Sequence, residues 1–116
     1  MARILLVEDD PEVLLIFEQV LRDEAYEVDT SETFFGGRDH LELRRYDLLI
    51  TDGRLPDGTG IGLADIAHGK NIPSLIVTGY PFGLRDGTHA DLAGYEVLRK
   101  PIRPHGLLEA VARTLG

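Results

Sequence analysis

The sequence contains no cysteine. Disulfides and thiolate metal sites are therefore excluded, although the absence by itself does not fix a compartment. Long apolar runs are missing too. Nothing approaches the roughly 20 residues needed to cross a bilayer. The N-terminal apolar run is too short for a signal peptide and leads straight into three acids, Glu8-Asp9-Asp10. Cations are scarce: twelve Lys and Arg stand against twenty Asp and Glu, a formal net charge of -8. With no basic run or basic helix, direct nucleic-acid binding is disfavoured, because it relies on Lys and Arg neutralising phosphates. The four histidines, His40, His68, His89 and His105, are scattered without metal-ligand spacing and read as solvated surface residues. Asp57-Gly58-Thr59-Gly60 lacks the lysine of a phosphate-binding P-loop and reads as a turn shaping a site from below.

What is present fits one compact domain. The chain has 116 residues, leaving no room for a second domain, and 43% hydrophobic residues is an ordinary supply for a core. These features predict a soluble, cytoplasmic single domain over residues 1–116.

Four apolar segments each end on a polar group. Ile4-Leu5-Leu6-Val7 ends on Glu8-Asp9-Asp10, and Leu48-Leu49-Ile50-Thr51 ends on Asp52. Leu75-Ile76-Val77 ends on Thr78, and Val97-Leu98-Arg99 ends on Lys100-Pro101. Short continuous apolar runs read as buried parallel strands, here 3–8, 47–51, 74–78 and 95–99, with an alternating edge strand at 26–30. Helical signals lie between them. Asp10-Pro11 gives an N-cap and a first-turn proline, followed by Val13, Phe17, Val20 and Leu21 at helical spacing, widened by Leu14 and Ile16. This helix should end near Glu24. Ser31 is a candidate cap for a second helix, with Leu41 and Leu43 in its later half, weakened at Gly36-Gly37. Residues 54–60 read as a loop, and 62–68 as a short helix. A weak helix is expected over 80–92, broken into by Pro81, Gly83 and Gly87. A last helix from Pro104 to Leu115 carries a stripe of Leu107, Leu108, Val111, Ala112 and Leu115.

A β-α unit repeated five times predicts an α/β fold: a flavodoxin-like (βα)5, doubly wound five-stranded parallel sheet of strand order 2-1-3-4-5. The ligand crevice of such a sheet lies at the C-terminal strand ends, between the first and third strands. Glu8, Asp9 and Asp52 would meet there. Taken singly, each polar residue has an ordinary reading. Asp10 caps a helix, Asp52 caps a loop, Thr78 satisfies a strand end and Lys100 is a solvated lysine. Their coincidence at four strand ends is what those readings leave unexplained.

The pattern ILLVEDDP…YDLLITDGRLPDGTG…IVTG…VLRKP resembles the receiver domain of bacterial two-component response regulators, of the stand-alone, chemotaxis-regulator-like kind, over essentially the whole chain. The resemblance implies that Asp52 is the phosphoacceptor, attacking a phosphohistidine of a sensor kinase or phosphotransfer protein. It implies Mg²⁺ held by Asp9 and Asp52 directly, by Glu8 through water and by the backbone carbonyl of Arg54. Lys100 and Thr78 would neutralise and hydrogen-bond phosphoryl oxygens. The Lys100–Pro101 bond would be cis. Such a module is not an enzyme in the ordinary sense, although it assists its own phosphorylation and dephosphorylation. Its output would run through protein contacts on the face of the fourth helix, fifth strand and fifth helix, with homodimerisation possible there.

Two departures stand out. Val97 occupies a position that is often aromatic, with Tyr95 on the same strand face, and Gly53 follows Asp52 where a larger residue is common. Arg54 and Tyr80 flank the expected path of a hydrolytic water and are expected to shield the phosphoryl group. The segment 80–92 is the expected alternative switch. Starting at Met1 and carrying no output domain, the chain reads as a stand-alone module, with a fragment of a longer regulator or hybrid kinase as the alternative. Rival readings are a phosphorylation-independent pseudo-receiver and an Asp-nucleophile phosphatase. The phosphatase would need a second Asp where Arg54 stands, and the pseudo-receiver typically loses an acid or the lysine.

Overall fold

The computed structural model describes residues 1–79 and 95–116. The weak helix expected over 80–92, Tyr80 and His89 lie outside the described residues. Within them, five strands form one parallel sheet: β1 (Arg3–Val7), β2 (Glu27–Ser31), β3 (Leu48–Asp52), β6 (Ser74–Thr78) and β7 (Glu96–Arg99). A short hairpin, β4 (Arg54–Leu55) and β5 (Gly58–Thr59), follows β3. The helices are α1 (Pro11–Asp23), α2 (Phe34–Leu43), α3 (Gly60–Gly69) and α4 (Pro104–Leu115). The sheet order is β2-β1-β3-β6-β7, which is the expected 2-1-3-4-5 counted over the sheet strands.

The inner strands β1, β3 and β6 are buried on both faces because helices cover both. Ile4 and Leu6 of β1 pack with Leu14, Phe17 and Leu21 of α1 and Leu107 and Val111 of α4. Leu5 and Val7 point the other way and join Leu41 of α2 and Leu63 and Ala67 of α3. This two-sided burial is why these strands read as continuous apolar runs rather than alternating ones. Leu63 is fully buried against Gly37 of α2. A Cβ at Gly37 would stand 3.0 Å from Val7 Cγ2 and 3.1 Å from Leu63 Cδ1. Gly37 therefore lets α2 lie close to β1, and Gly36, where a Cβ would stand 2.3 Å from Ser31 Oγ, lets it lie close to the end of β2, which compensates the pair's poor helix propensity.

Several local expectations change. Ile16 is 52% exposed, since it lies roughly 200° around α1 from Leu14 at about 100° per residue. Leu43 is 82% exposed, since it lies roughly 200° around α2 from the buried Leu41. In α4 the buried alanine is Ala110, in line with Leu107 and Val111, while Ala112 faces outward. The cap of α2 is Thr33, whose extended backbone lets its Oγ1 accept the Gly36 N–H at 3.0 Å. Ser31 instead closes β2 against Val7. The 54–60 loop is a hairpin, and its last residue, Thr59, caps α3 by accepting the Gly62 N–H at 3.1 Å.

Candidate functional site

Strand register builds the site. Val7 of β1 lies beside Thr51 of β3, so Glu8 and Asp52 leave the sheet at the same level. Asp52 lies beside Val77 of β6, and Thr78 beside Arg99 of β7, which places Thr78 and Lys100 one step further along the same edge. The Lys100 N–H donates to the Thr78 carbonyl at 2.9 Å and extends that ladder. The Lys100–Pro101 peptide is cis, as the resemblance implies.

Carboxylate oxygens of Glu8, Asp9 and Asp52 lie within 4.8 Å of one another, the one such acidic cluster among the described residues. Glu8 is 2% exposed and Asp52 8%, whereas Asp9 opens to water. The Lys100 ammonium donates to Glu8 Oε1 at 2.7 Å and to Asp52 Oδ2 at 3.1 Å. Glu8 Oε2 accepts the Asp10 N–H at 3.0 Å, and Asp52 Oδ1 accepts the Arg54 N–H at 3.3 Å. Asp10 itself caps α1: its Oδ1 accepts the N–H groups of Glu12 and Val13. Thr78 is fully buried. Gly60 closes the loop from beneath. Its N–H donates to the Gly53 carbonyl at 3.0 Å, and a Cβ there would stand 2.1 Å from the Asp52 carbonyl oxygen.

Burial pushes the Glu8 carboxyl up to about 7, with the Asp52 charge adding to it, while Lys100 and the Asp10 N–H pull it back. Burial also disfavours the charged lysine, but the hydrogen bonds and charges of Glu8 and Asp52 prevail and raise the Lys100 pKa. One ammonium thus faces three acids. A buried carboxylate in that balance needs a proton or more positive charge. An all-oxygen donor set with one member open to solvent fits a hard divalent cation that keeps part of its water shell. The residues present therefore fit Mg²⁺.

A family profile described as response regulator receiver domain matches residues 4–112. The chain belongs to this family of receiver domains. It is 30% identical to the response regulator protein PilR of Pseudomonas aeruginosa over 96% of its own length. The chain spans about a quarter of that relative's length. A CheY-like response regulator receiver domain from Methanospirillum hungatei superposes with a TM-score of 0.89 at 32% identity, covering 99% of this chain and 94% of that one. The receiver domain of a Pseudomonas aeruginosa sensor histidine kinase, with a magnesium ion coordinated in its active-site cleft, gives 0.84 at 26% identity, covering 99% and 98%.

All five side chains singled out in the sequence, Glu8, Asp9, Asp52, Thr78 and Lys100, lie at this receiver's C-terminal sheet edge. Arg54 is exposed on β4, two residues beyond Asp52. Val97 is half-buried and packs with Ile76 and Ala64. Tyr95 joins that cluster, lies just outside β7, and donates its hydroxyl to Asp65 of α3 at 2.5 Å. His68 and His105 are surface residues, and His105 pairs with Glu109. His40 is not simply solvated: its Nδ1 lies 3.3 Å from the buried Tyr46 hydroxyl, which donates to Asp29 at 2.7 Å. Sequence reasoning also missed Asp57, which accepts the Phe34 and Phe35 N–H groups at the start of α2. The signal was faint: an Asp in a Pro-Asp-Gly turn ordinarily bonds its own turn.

Proposed function

We propose that this chain is the phosphoacceptor of a two-component phosphorelay, with Asp52 as the accepting carboxylate. The observation that carries the reading is the pairing of Asp52 Oδ2 with the Lys100 ammonium at 3.1 Å, inside a cluster that also holds Glu8 and Asp9. A buried carboxylate held in one orientation is a competent nucleophile toward phosphorus. The donor is a phosphohistidine of a sensor kinase or phosphotransfer protein. An Asp52 oxygen forms the new P–O bond as the P–N bond breaks, and the imidazole leaves with the electron pair and takes up a proton. Lys100 neutralises charge on the transferred group, and Thr78 donates a hydrogen bond to one of its oxygens.

Glu8, Asp9, Asp52 and the Arg54 backbone carbonyl would hold Mg²⁺, with Glu8 acting through water. When bound, the ion supplies the charge neutralisation that lets an anionic donor approach three acids. Before the transfer Lys100 holds the two buried carboxylates together. The module works in the cytoplasm and signals by protein contacts rather than by turning over a substrate or touching nucleic acid. The face carrying β7 and α4 is the candidate surface for a downstream protein or a second copy. The whole domain, residues 1–116, acts as a single unit whether alone or within a longer regulator.

The test is intact mass after incubation with acetyl phosphate and Mg²⁺, with Asp52→Asn alongside. A single-phosphate adduct that requires Mg²⁺ and disappears in the variant is the expected result. Wild type that binds Mg²⁺ and still takes no phosphate from acetyl phosphate or a kinase would overturn the reading in favour of a pseudo-receiver.

A further inference from the structure

The hairpin that follows Asp52 is tied at its far end to a different helix. Asp57, in the turn between β4 and β5, accepts the Phe34 N–H on Oδ1 at 2.6 Å and the Phe35 N–H on Oδ2 at 3.0 Å. These are first-turn donors of α2, which has no earlier carbonyl of its own to offer them. The helix already has an internal cap, since Thr33 Oγ1 takes the Gly36 N–H and the Thr33 carbonyl takes that of Gly37. Asp57 is thus a second cap, delivered from 22 residues away, and it joins two elements rather than finishing one.

Packing reinforces the tie. A Cβ at Gly58 would stand 2.6 Å from Phe34 Cγ, and one at Gly62 would stand 3.0 Å from Phe34 Cε2. The Phe34 ring therefore lies against both the hairpin and the first turn of α3. At the near end the hairpin starts at Arg54, whose N–H meets Asp52 Oδ1, and is followed by Gly60, the first residue of α3, pressed on the Asp52 carbonyl. Between these ends lie few residues, so a shift of the Asp57 end moves Arg54 against Asp52.

We infer that Asp57 is a positioning residue for the cation site, holding the β4–β5 hairpin on α2 so that Arg54 and Asp52 keep their mutual placement. The inference rests on the proposed reading of Glu8, Asp9 and Asp52 as a Mg²⁺ site. It makes α2, which contributes no side chain to the acidic cluster, part of what sets metal affinity. Groups bonded directly to metal ligands commonly change metal affinity by about 10–100-fold, and Asp57, which acts through the hairpin, belongs at the lower end of that range.

The experiment compares Mg²⁺ dissociation constants of wild type, Asp57→Ala, Asp57→Asn and Thr33→Ala at a temperature where circular dichroism shows each folded. Asp57→Ala is expected to weaken Mg²⁺ by about tenfold, and Asp57→Asn to recover part of the loss because its amide oxygen still accepts an N–H. Thr33→Ala removes the internal cap of α2 without touching the hairpin and is expected to leave Mg²⁺ binding unchanged. If Thr33→Ala weakens Mg²⁺ as much as Asp57→Ala, the effect is helix stability and the inference fails. Asp57→Ala that binds like wild type overturns the inference alone; wild type that does not bind Mg²⁺ overturns the site reading and the inference with it. A second readout needs no variant. Coupling is reciprocal, so Mg²⁺ should raise the hydrogen-exchange protection of the Phe34 and Phe35 amides by the same factor. Unchanged protection in a Mg²⁺-bound protein would contradict the tie.

Discussion

Glu8 carries the sharpest conflict in the molecule. It is buried beside Asp52, yet it would have to be ionised to serve as a ligand in the proposed cation site. With its carboxyl pushed up to about 7 from the ordinary 4.5, the folded chain binds more protons than the unfolded one between those values. Stability supplied by this residue is therefore fully present below about pH 4.5 and lost as pH rises through about 7. Lys100, raised from an already high value, keeps its charge throughout that window. Glu8→Gln removes the titration. Without Mg²⁺ the variant should be more stable than wild type at pH 8, with the gap closing toward pH 5, while its Mg²⁺ affinity falls. Urea titrations of both proteins in EDTA across this range check it, and a variant less stable than wild type at pH 8 would refute it. The residues of this site were legible because each ends an apolar run, which fixes its place on the sheet edge. Their pairing was not. Lys100 and Glu8 are 92 residues apart, and only strand register brings them together.

At the scale of single elements, helix ends show both what patterning conveys and what it hides. The last helix, Pro104–Leu115, is readable to the residue because a first-turn proline and an apolar stripe agree. The hairpin was hidden because two-residue strands are too short to show a period of two. The end of α1 lies at Glu24, where the sequence placed it, and the structure adds the form of that ending. The Ala25 N–H donates to Arg22 and the Tyr26 N–H to Leu21, the paired bonds of a Schellman ending, with Ala25 at φ +71°. The end of α3 repeats it, with Asn71 at φ +62° and bonds from Asn71 to His68 and from Ile72 to Ala67. Asn adopts this region more readily than Ala does. A left-handed alanine costs about 1–2 kcal/mol, of which glycine's greater unfolded-state freedom returns roughly 0.4–1. Ala25→Gly should thus stabilise the fold by up to about 1.6 kcal/mol, whereas Asn71→Gly should change little. Chemical denaturation measures both, and a destabilised Ala25→Gly protein would show that the left-handed strain is relieved in some other way.

For the molecule as a whole, the sheet topology was legible because buried parallel strands, short connections and a repeated β-α order leave few alternatives. Charge adds a consequence that topology does not. The chain carries -8 in all, and three of its acids converge where the strand order reverses. General repulsion of that size is relieved by any salt within a Debye length of about 8–10 Å. The repulsion inside the cluster is different, because Glu8 and Asp52 are buried and bulk ions screen them poorly. A cation that binds the native cluster and not the unfolded chain stabilises by about 2.7 kcal/mol at a hundred times its dissociation constant. For a domain of this size that corresponds to roughly 10 °C in Tm. Thermal melts in saturating Mg²⁺ should therefore lie well above melts in EDTA with NaCl at matched ionic strength, and Asp52→Asn should remove most of the difference. Equal melts in the two salts would mean that only diffuse screening is at work. The acidic edge would then be a surface feature held together by Lys100 rather than a site for a metal.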